Sequence, residues 1–283
     1  ILPKLIAQHN NGVLMDTARG RAAAARLIRR VKATAYAVVE QLRRGEFSIS
    51  GTETEFGIGK RYPELILELP GGGRYILSGR IDRIDSYTSD SGEKFVRVID
   101  YKSKSGSAFD CADIADGKRL QLPLYIAAIE AAGAAERAAG MYYLPVHEGI
   151  INSSGKEDDF GARILKEFRL RGACLNDAEL IELGGGEDVQ PTARSGWRLS
   201  EEQLKGTVNF AVDKAKQTAY KIAKGHAEAY PLMSKENKTE CKWCDYNSVC
   251  GFDATLPCCK YRRASIIKKD DFLEEVSHAQ LDR

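Results

Sequence analysis

The sequence predicts an α/β fold in which a central mixed β-sheet is flanked by helices. Three observations predict this class: a long amphipathic helix comes first, four β-rich segments follow it, and a helix then leads into a further apolar strand. A chain of 283 residues fits one large domain or two small ones. The hydrophobic fraction of 43% and the charged fraction of 29% are ordinary for a soluble globular protein.

The first predicted helix covers residues 17–44 and carries apolar residues at helical spacing. Eight basic residues and one acid, Glu40, lie between Arg19 and Arg44, although the net charge of the chain is only +2. This distribution fits either a solvated helix face or a track for nucleic acid. No run approaches the roughly 18 apolar residues of a membrane span. Because the first residue is not Met, we expect the sequence to be part of a longer chain.

The β-rich segments are separated by glycine-rich or polar turns. The predicted strands cover residues 52–57, 64–69, 75–85 and 95–102, and a helix at 118–132 and a strand at 139–146 follow them. A helix that leads into a new strand is typical of a crossover packed on a sheet. Residues 152–200 are polar and weakly patterned, and segment 168–172 stands out in them without a chemical assignment. A lysine-rich helix is predicted at 204–224.

Two acids and a lysine lie within the apolar parts of the predicted strands at 75–85 and 95–102, which would form a hairpin. Asp100 and Lys102 share one face of their strand, and Asp82 on the partner strand reaches the same neighbourhood. Mg²⁺ binds one or two carboxylates together with phosphate and water, so Asp82 and Asp100 fit as its ligands, with the carbonyl of Tyr101 as a neutral addition. Lys102 would orient an attacking water and stabilise charge on the phosphate.

Further polar residues extend this candidate site for metal-assisted phosphodiester hydrolysis. Glu53, on a preceding strand, offers a third acid, and Glu55 is its rival. Gln121 and Tyr125 are spaced i and i+4, so they share one face of the following helix, where they would hold a phosphate or the lysine.

Each of these sets also has a simpler structural interpretation. An Asp and a Lys on one strand commonly form a cross-strand ion pair, and a Gln and a Tyr at helical spacing commonly form an ordinary helix surface. We expect Arg83 and Asp85 to be such a surface pair.

Seven cysteines are too few for a disulfide scaffold in a chain of this size. Three of them have the spacing Cys241-x2-Cys244-x5-Cys250, which indicates metal or cluster ligation in a reducing compartment such as the cytoplasm. A zinc site that includes Cys258 or Cys259 and an unliganded structural trio are the alternatives.

Taken in order, the motifs Gly79-x-x-Asp82, Asp100-x-Lys102 and Gln121-x-x-x-Tyr125 resemble the RecB-like branch of the PD-(D/E)XK nuclease superfamily. The trailing cysteines look like the end of AddB-type subunits of AddAB helicase–nucleases, and the similarity extends over most of residues 17–263. The resemblance implies a restriction-endonuclease-like core at residues 1–235, truncated at its N-terminus, and a C-terminal cysteine-bound segment at 236–283.

The resemblance also implies a role for each matching residue. Asp82 and Asp100 would bind the metal, Lys102 would be the catalytic lysine, and Gln121 with Tyr125 would form an accessory motif. Glu53 resembles an acidic strand residue that precedes the first of these motifs.

The implied activity is a Mg²⁺- or Mn²⁺-dependent exonuclease that cleaves a DNA strand delivered by a helicase. An AddA-type subunit would be its partner in double-strand break repair. Cys241, Cys244 and Cys250 would supply three of the four thiolates of a [4Fe–4S] cluster. A stand-alone exonuclease of the CRISPR-associated or phage type and a catalytically inactive DNA-binding module are the alternatives.

Two departures from the family pattern concern residues that usually lie upstream. His9 lacks the glycine that normally accompanies the family's helical histidine, which favours a surface or loop histidine. No cysteine precedes Cys111, so the upstream cluster ligand is missing from this sequence.

Overall fold

The structure, a computed structural model, describes residues 1–103, 109–133, 136–146, 160–194 and 197–281. Its strands are β1 (Ser48–Phe56), β2 (Leu65–Glu68), β3 (Arg74–Leu77), β4 (Gly79–Thr88), β5 (Lys94–Lys102), β6 (Glu136–Pro145), β7 (Arg171–Leu175), β8 (Trp197–Leu199), β9 (Leu232–Met233) and β10 (Arg262–Arg263). Its α-helices are α1 (Leu2–Gln8), α2 (Val13–Asp16), α3 (Ala18–Arg43), α4 (Cys111–Ala115), α5 (Gln121–Glu130), α6 (Phe160–Glu167), α7 (Ala178–Leu183), α8 (Gly186–Val189), α9 (Glu201–Ala223), α10 (Asn247–Cys250) and α11 (Lys269–Leu281). Short 3₁₀ helices cover His9–Gly12 and Glu240–Trp243.

The chain divides into two compact units, each built from three stretches of sequence. The first unit comprises Ile1–Thr54, Arg80–Phe109 and Ala134–Glu201. The second comprises Glu55–Gly79, Asp110–Gly133 and Glu202–Arg283. The division at residue 235 that the family resemblance implies stays a prediction.

The first unit is built on a six-stranded mixed sheet with the order β1-β4-β5-β6-β7-β8. The β4–β5 and β6–β7 pairs are antiparallel, whereas the β5–β6 and β7–β8 pairs are parallel. A parallel β5–β6 pair needs a crossover connection, because tight hairpins join only antiparallel neighbours. The predicted α/β class with a mixed central sheet is therefore confirmed.

Helix α3 covers one face of this sheet and matches the predicted helix at 17–44. Thr17 caps its N-terminus by accepting a hydrogen bond from the N–H of Gly20 at 3.0 Å. Ala37 of α3 packs in a core with Ile99 of β5 and with residues that follow α6. Most of the basic residues of α3 are exposed, but the apolar side chains of Leu27 and Val39 are exposed as well, so the apolar positions of this helix do not all face the core.

Two segments differ from the sequence-based expectation. The predicted strand at 75–85 is divided at Ser78, because β3 pairs with β2 in a separate two-stranded sheet while β4 joins the central sheet. Gly79 begins β4 with no room for a side chain, since an added Cβ would lie 2.8 Å from the Phe56 ring. The weakly patterned residues 152–200 contain α6, β7, α7, α8 and β8 in their described part. These elements have three to eight residues, which is too short for periodicity to reveal.

The second unit contains α5, α9 and α11 with the two small sheets β2–β3 and β9–β10. Helix α11 packs closely on α9, where Gly206 approaches the backbone of Val276 and the rings of Phe210 and Phe272 lie 5.3 Å apart. Asp116, after α4, accepts hydrogen bonds from the N–H and hydroxyl of Ser265, which ties the C-terminal part to α4. Among the described helices, none combines the length and apolar character needed to cross a membrane.

Candidate active site

The β4–β5 hairpin sets two carboxylates side by side in the first unit. The strands are antiparallel with Arg83 opposite Ile99, and the same register continued by one residue sets Asp82 opposite Asp100. Directly opposite residues of an antiparallel pair project from the same face of a sheet. The backbone N–H of Tyr101 donates to Oδ2 of Asp82 at 2.9 Å, which holds this carboxylate next to the start of the Asp100 side chain.

Asp100 is the more buried of the two acids, with 2% of its surface exposed. Nζ of Lys102 lies 2.6 Å from Oδ2 of Asp100 and 5.3 Å from the centroid of the Tyr143 ring. Burial raises the pKa of Asp100 above its ordinary value near 3.8; Lys102 opposes this shift and the charge of Asp82 adds to it. Two acids therefore share one base, and the cluster keeps an excess of negative charge.

This arrangement of carboxylate oxygens fits a hard divalent cation. Oδ2 of Asp100 is buried and accepts no well-directed hydrogen bond from the described residues, although the ammonium of Lys102 is close. A buried carboxylate oxygen without such a bond is costly, and a cation would satisfy it. Mg²⁺ needs only one or two protein carboxylates when phosphate and water complete its shell. In the part of the chain that the structure describes, no group of three or more His, Cys, Asp or Glu side chains gathers around a possible metal position.

Glu53 lies at the edge of this acidic face. Its carboxylate is 3.3 Å from a guanidinium nitrogen of Arg80, and both side chains are largely exposed. Arg80 and Asp82 share a face of β4 because they are two residues apart, so Glu53 is on the same side as the carboxylate pair. The backbone of Glu53 has a φ of +48°, an unusual conformation for a residue with a side chain. Its rival, Glu55, is paired with Lys60 at 2.6 Å.

The opposite face of the same two strands carries a buried charge cluster that differs from the sequence-based expectation. Arg83 and Asp85 were expected to be a surface pair, but neither is exposed at all. Two nitrogens of Arg83 donate to Asp85 at 2.6 and 2.8 Å, and Nε of Arg97 donates to Asp85 at 2.9 Å. Arg97 also donates to the carbonyl of Gly184 at 3.1 Å. The expectation was wrong because residues from distant parts of the chain cover this face of the two strands, among them the Phe47 ring, which lies 4.6 Å from the guanidinium carbon of Arg97.

Gln121 and Tyr125 belong to the second unit, where they lie one turn apart on α5. Nε2 of Gln121 is 2.6 Å from the hydroxyl of Tyr125, within hydrogen-bond distance. Tyr125 is 6% exposed and its ring packs edge-on against Phe56 at 6.1 Å. The expected shared helix face is confirmed, and the Tyr125 side chain is not an ordinary surface group.

The three clustered cysteines also belong to the second unit. Cys241 lies in the 3₁₀ helix, Cys244 follows it, and Cys250 ends α10, and each of them is a free thiol. Among the described residues, no three potential ligands gather around a metal position. Sγ of Cys258 and Sγ of Cys259 lie 3.9 Å apart, and the structure places neither in a metal-binding group. In the first unit, His9 is exposed, in agreement with a surface histidine.

The mixed sheet with paired carboxylates and an adjacent lysine indicates an α/β protein with an acidic candidate site. Comparisons with known proteins identify its family. Residues 3–251 match the PD-(D/E)XK nuclease superfamily. The chain therefore belongs to this superfamily, and the RecB-like resemblance of its motifs agrees with that assignment.

Curated relatives narrow the comparison to AddB-type subunits of ATP-dependent helicase/deoxyribonucleases. The relative from Alkaliphilus metalliredigens is 26% identical over 98% of this chain, which covers 26% of that protein. The relative from Moorella thermoacetica is 35% identical over 82% of this chain and 22% of that protein. The chain thus spans about a quarter of the length of these relatives. A solved structure titled "Crystal structure of SSO0001" covers 88% of this chain and is itself covered to 81%, but the TM-score of 0.30 and identity of 14% are too low to support an argument.

Proposed function

We propose that this chain is a divalent-cation-dependent DNA nuclease domain that hydrolyses phosphodiester bonds. The observation that carries the proposal is the arrangement of Asp82, Asp100 and Lys102, in which two acids and one base converge on one face of the β4–β5 hairpin. The opposite face of the same strands differs from it, because one acid and two arginines there form a fully buried cluster, whereas Lys102 is about one-third exposed.

Asp82 and Asp100 would hold the cation, and the backbone of Tyr101 would keep Asp82 in position. A bound Mg²⁺ would lower the pKa of a water molecule and neutralise charge on the phosphate. Lys102 has its ammonium at the mouth of this pair and is about one-third exposed, so it would contact the phosphate and orient the attacking water. Because burial already disfavours the ionised form of Asp100, a cation would relieve an existing excess of negative charge.

Two further sets of residues would assist these three. Glu53 would be a third acid at the edge of the site, because its partner Arg80 shares the face of Asp82. Gln121 and Tyr125, a hydrogen-bonded pair of the second unit, would be the accessory motif that the family resemblance implies. The backbone carbonyl of Tyr101 would be a further ligand of the cation.

The substrate would be a DNA strand delivered within a helicase–nuclease complex for double-strand break repair, in the cytoplasm. The relatives named as helicase/deoxyribonuclease subunits support this, and an AddA-type subunit would be the partner. Exposed arginines of α3 and the lysines of α9 would contact phosphates without reading base sequence. We propose exonuclease action on the basis of the family resemblance alone.

A cleavage assay with the full-length protein tests the proposal. Labelled single-stranded DNA with Mg²⁺ is compared for the wild type, Asp100→Ala and Lys102→Ala, and Asp90→Ala in the exposed turn of the same hairpin is the matched control. We expect each site variant to lose at least about 10³-fold in kcat. The Asp90 variant should cleave like the wild type. Equal cleavage by all four proteins would refute the assignment and would leave an inactive DNA-binding module.

The cysteine segment has a separate proposal, which rests on spacing and resemblance alone. Cys241, Cys244 and Cys250 would bind a [4Fe–4S] cluster with a fourth thiolate from elsewhere in the full-length protein. Free ligands need not gather in the absence of metal, because binding and local folding are coupled. Anaerobically purified full-length protein should be brown and contain iron, and a colourless, iron-free preparation would rule the cluster out.

A further inference from the structure

The first unit contains a cleft of about 270 Å³ that has no role in the proposed function so far. Its lining includes three cationic and two aromatic side chains, namely Lys166, Arg169, Arg171, Phe109 and Trp197. Segment 168–172 contributes several of the lining residues. The volume is close to the lower end of typical small-molecule sites, about 300–1,000 Å³, so the cleft suits one small planar group.

The strand register connects this cleft to the face that carries Asp100. Tyr143 of β6 is opposite Asp100 on one side and opposite Arg171 of β7 on the other, so the three residues form one row across the sheet. Residues that pair in this way project from the same face. Trp197 of β8 is opposite Ala173, which is two residues after Arg171, so it also shares this face. With neighbouring strands about 4.8 Å apart, the backbone of Arg171 lies about 10 Å from that of Asp100.

The cationic groups of the cleft are available to a ligand. Within the described residues, no carboxylate forms an ion pair with Lys166, Arg169 or Arg171. Nε of Arg169 is buried and has no hydrogen-bond partner among the described residues. A guanidinium with an unsatisfied buried N–H is costly unless an acceptor such as a phosphate reaches it.

The backbone that carries these cations is held firmly. The carbonyl of Phe168 accepts a hydrogen bond from Gln41 of α3 at 2.8 Å, and the N–H of Leu170 donates to Val189 at 2.9 Å. Phe168 and Leu170 are both buried in the core. Arg169 therefore projects from a fixed backbone between two buried residues, which reduces the entropy that ligand binding would cost.

The aromatic pair supplies a surface for a planar ring. The rings of Phe109 and Trp197 lie 5.1 Å apart with an interplanar angle of 76°. Such an edge-to-face pair is stable and leaves ring surface on the side that lines the cleft. Aromatic surface next to cationic groups is the combination that binds single-stranded nucleic acid, because bases stack on the rings and phosphates contact the charges.

We propose that this cleft binds one nucleotide of the DNA strand, near the phosphate held at Asp82 and Asp100. The base contacts Trp197 and Phe109, and the phosphate contacts Arg169 and Arg171 with help from Lys166. This inference rests on the proposed nuclease function and names the part of the protein that positions its substrate.

Tryptophan fluorescence provides a direct binding assay. The chain has two tryptophans, so Trp243→Phe leaves Trp197 as its only one, and the same variant is made in the full-length protein with any further tryptophans replaced. A thymidine oligonucleotide is titrated in EDTA, which prevents metal-dependent cleavage. We expect saturable quenching, and Arg169→Gln and Arg171→Gln should each weaken binding about 10-fold and reduce the slope of log affinity against log salt by about 1.

The matched control is Arg137→Gln, which removes a guanidinium that Glu93 and Glu201 already neutralise. Arg137 is six residues before Tyr143 on β6, about 20 Å away. Its variant should bind the oligonucleotide like the parent. Quenching by dTMP or inorganic phosphate at the same concentrations as the oligonucleotide would overturn the assignment to a DNA strand.

Cleavage kinetics separate the failure of this inference from failure of the nuclease function. Arg171→Gln should raise KM about 10-fold with little change in kcat, whereas Asp100→Ala should lose kcat and retain fluorescence-detected binding. Arg171 is exposed, so its replacement should not unfold the protein, and a melting temperature checks this. An active protein whose affinity, salt slope and KM do not respond to Arg169 or Arg171 would overturn the cleft while leaving the nuclease assignment intact. An inactive wild type that still binds through Trp197 would overturn the nuclease function instead.

Discussion

The two faces of the β4–β5 hairpin carry charge in opposite ways. On one face, Asp85 receives hydrogen bonds from two arginines and is fully buried. On the other, Asp82 and Asp100 lie opposite each other with Lys102 as the only base in contact with Asp100 among the described residues. The strands and the register are shared, but the Asp85 cluster is fully buried and holds one acid with two bases, whereas the other face holds two acids with one partly exposed base.

This difference separates a structural ion cluster from a candidate reaction site. Every oxygen of Asp85 has a charged donor, and Arg97 additionally donates to Gly184 and stacks its guanidinium 4.6 Å from the Phe47 ring centroid. Asp100 instead has a raised pKa, caused first by burial, and an oxygen without a well-directed hydrogen bond from the described residues. Burial of the Asp100 carboxylate costs free energy, and a bound ligand that neutralises the carboxylate would remove this cost.

The largest expected effect is on the fully buried face that carries Asp85. Asp85→Asn should lower the free energy of unfolding by about 3–5 kcal/mol, because it leaves two buried guanidinium groups without their counter-charge. Urea unfolding measures this, with Asp90→Asn in the exposed turn of the same hairpin as the control. A loss below about 1 kcal/mol would mean that the cluster is as weak as a surface pair of Arg83 and Asp85 would be.

The second effect concerns ligand binding on the acidic face that carries Asp82 and Asp100. At a Mg²⁺ concentration about 100 times its dissociation constant, the wild type should gain about 2.7 kcal/mol of stability. Asp82→Asn and Asp100→Asn should lose most of this gain, whereas Asp85→Asn should retain it if it still folds. Thermal unfolding with Mg²⁺ and with EDTA provides the measurement, and a gain that persists in both site variants would place the cation elsewhere.

The third effect is smaller and has the opposite sign from that of Asp85. Without metal, Asp100→Asn should leave the unfolding free energy unchanged or raise it by up to about 1 kcal/mol, because it removes a buried charge that repels Asp82. Urea unfolding in EDTA tests this against Asp85→Asn under the same conditions. A loss as large as that of Asp85→Asn would show that the pairing with Lys102 stabilises the fold and that the two faces are alike.

The sequence predicted the carboxylate face because the necessary information is local. Asp82, Asp100 and Lys102 lie on two strands joined by a short turn, and alternation along a strand decides which residues share a face. The mixed sheet was predictable for a similar reason, since the long helix and the hairpin have clear patterns. The family motifs added the order in which the candidate site residues follow one another along the chain, which composition alone does not supply.

The buried ion cluster and the aromatic cleft depend on pairings between distant segments. Asp85 is buried together with Arg97, which contacts the Phe47 ring and the carbonyl of Gly184. Arg171 is connected to the row of Asp100 through the β5–β6 and β6–β7 registers. Strand β7 has only five residues in weakly patterned sequence, so its register cannot be read from the sequence. The cysteine spacing, in contrast, was clear in the sequence, but ligand spacing does not fix side-chain positions before a metal is bound.

The smallest effect tests whether the acidic face of Asp82 and Asp100 extends to β1. Glu53 has a φ of +48°, so Glu53→Gly should relieve backbone strain and raise the unfolding free energy by about 0.5–1 kcal/mol. The matched variant Glu55→Gly, in the same strand without positive φ, should lower it by about the same amount. If Glu53 is the third acid, its glycine variant will also bind Mg²⁺ about 10-fold more weakly, whereas the Glu55 variant will not. If Glu53→Gly stabilises the protein but leaves its Mg²⁺ affinity unchanged, the acidic face is confined to Asp82 and Asp100. Glu53 then has only its exposed ion pair with Arg80.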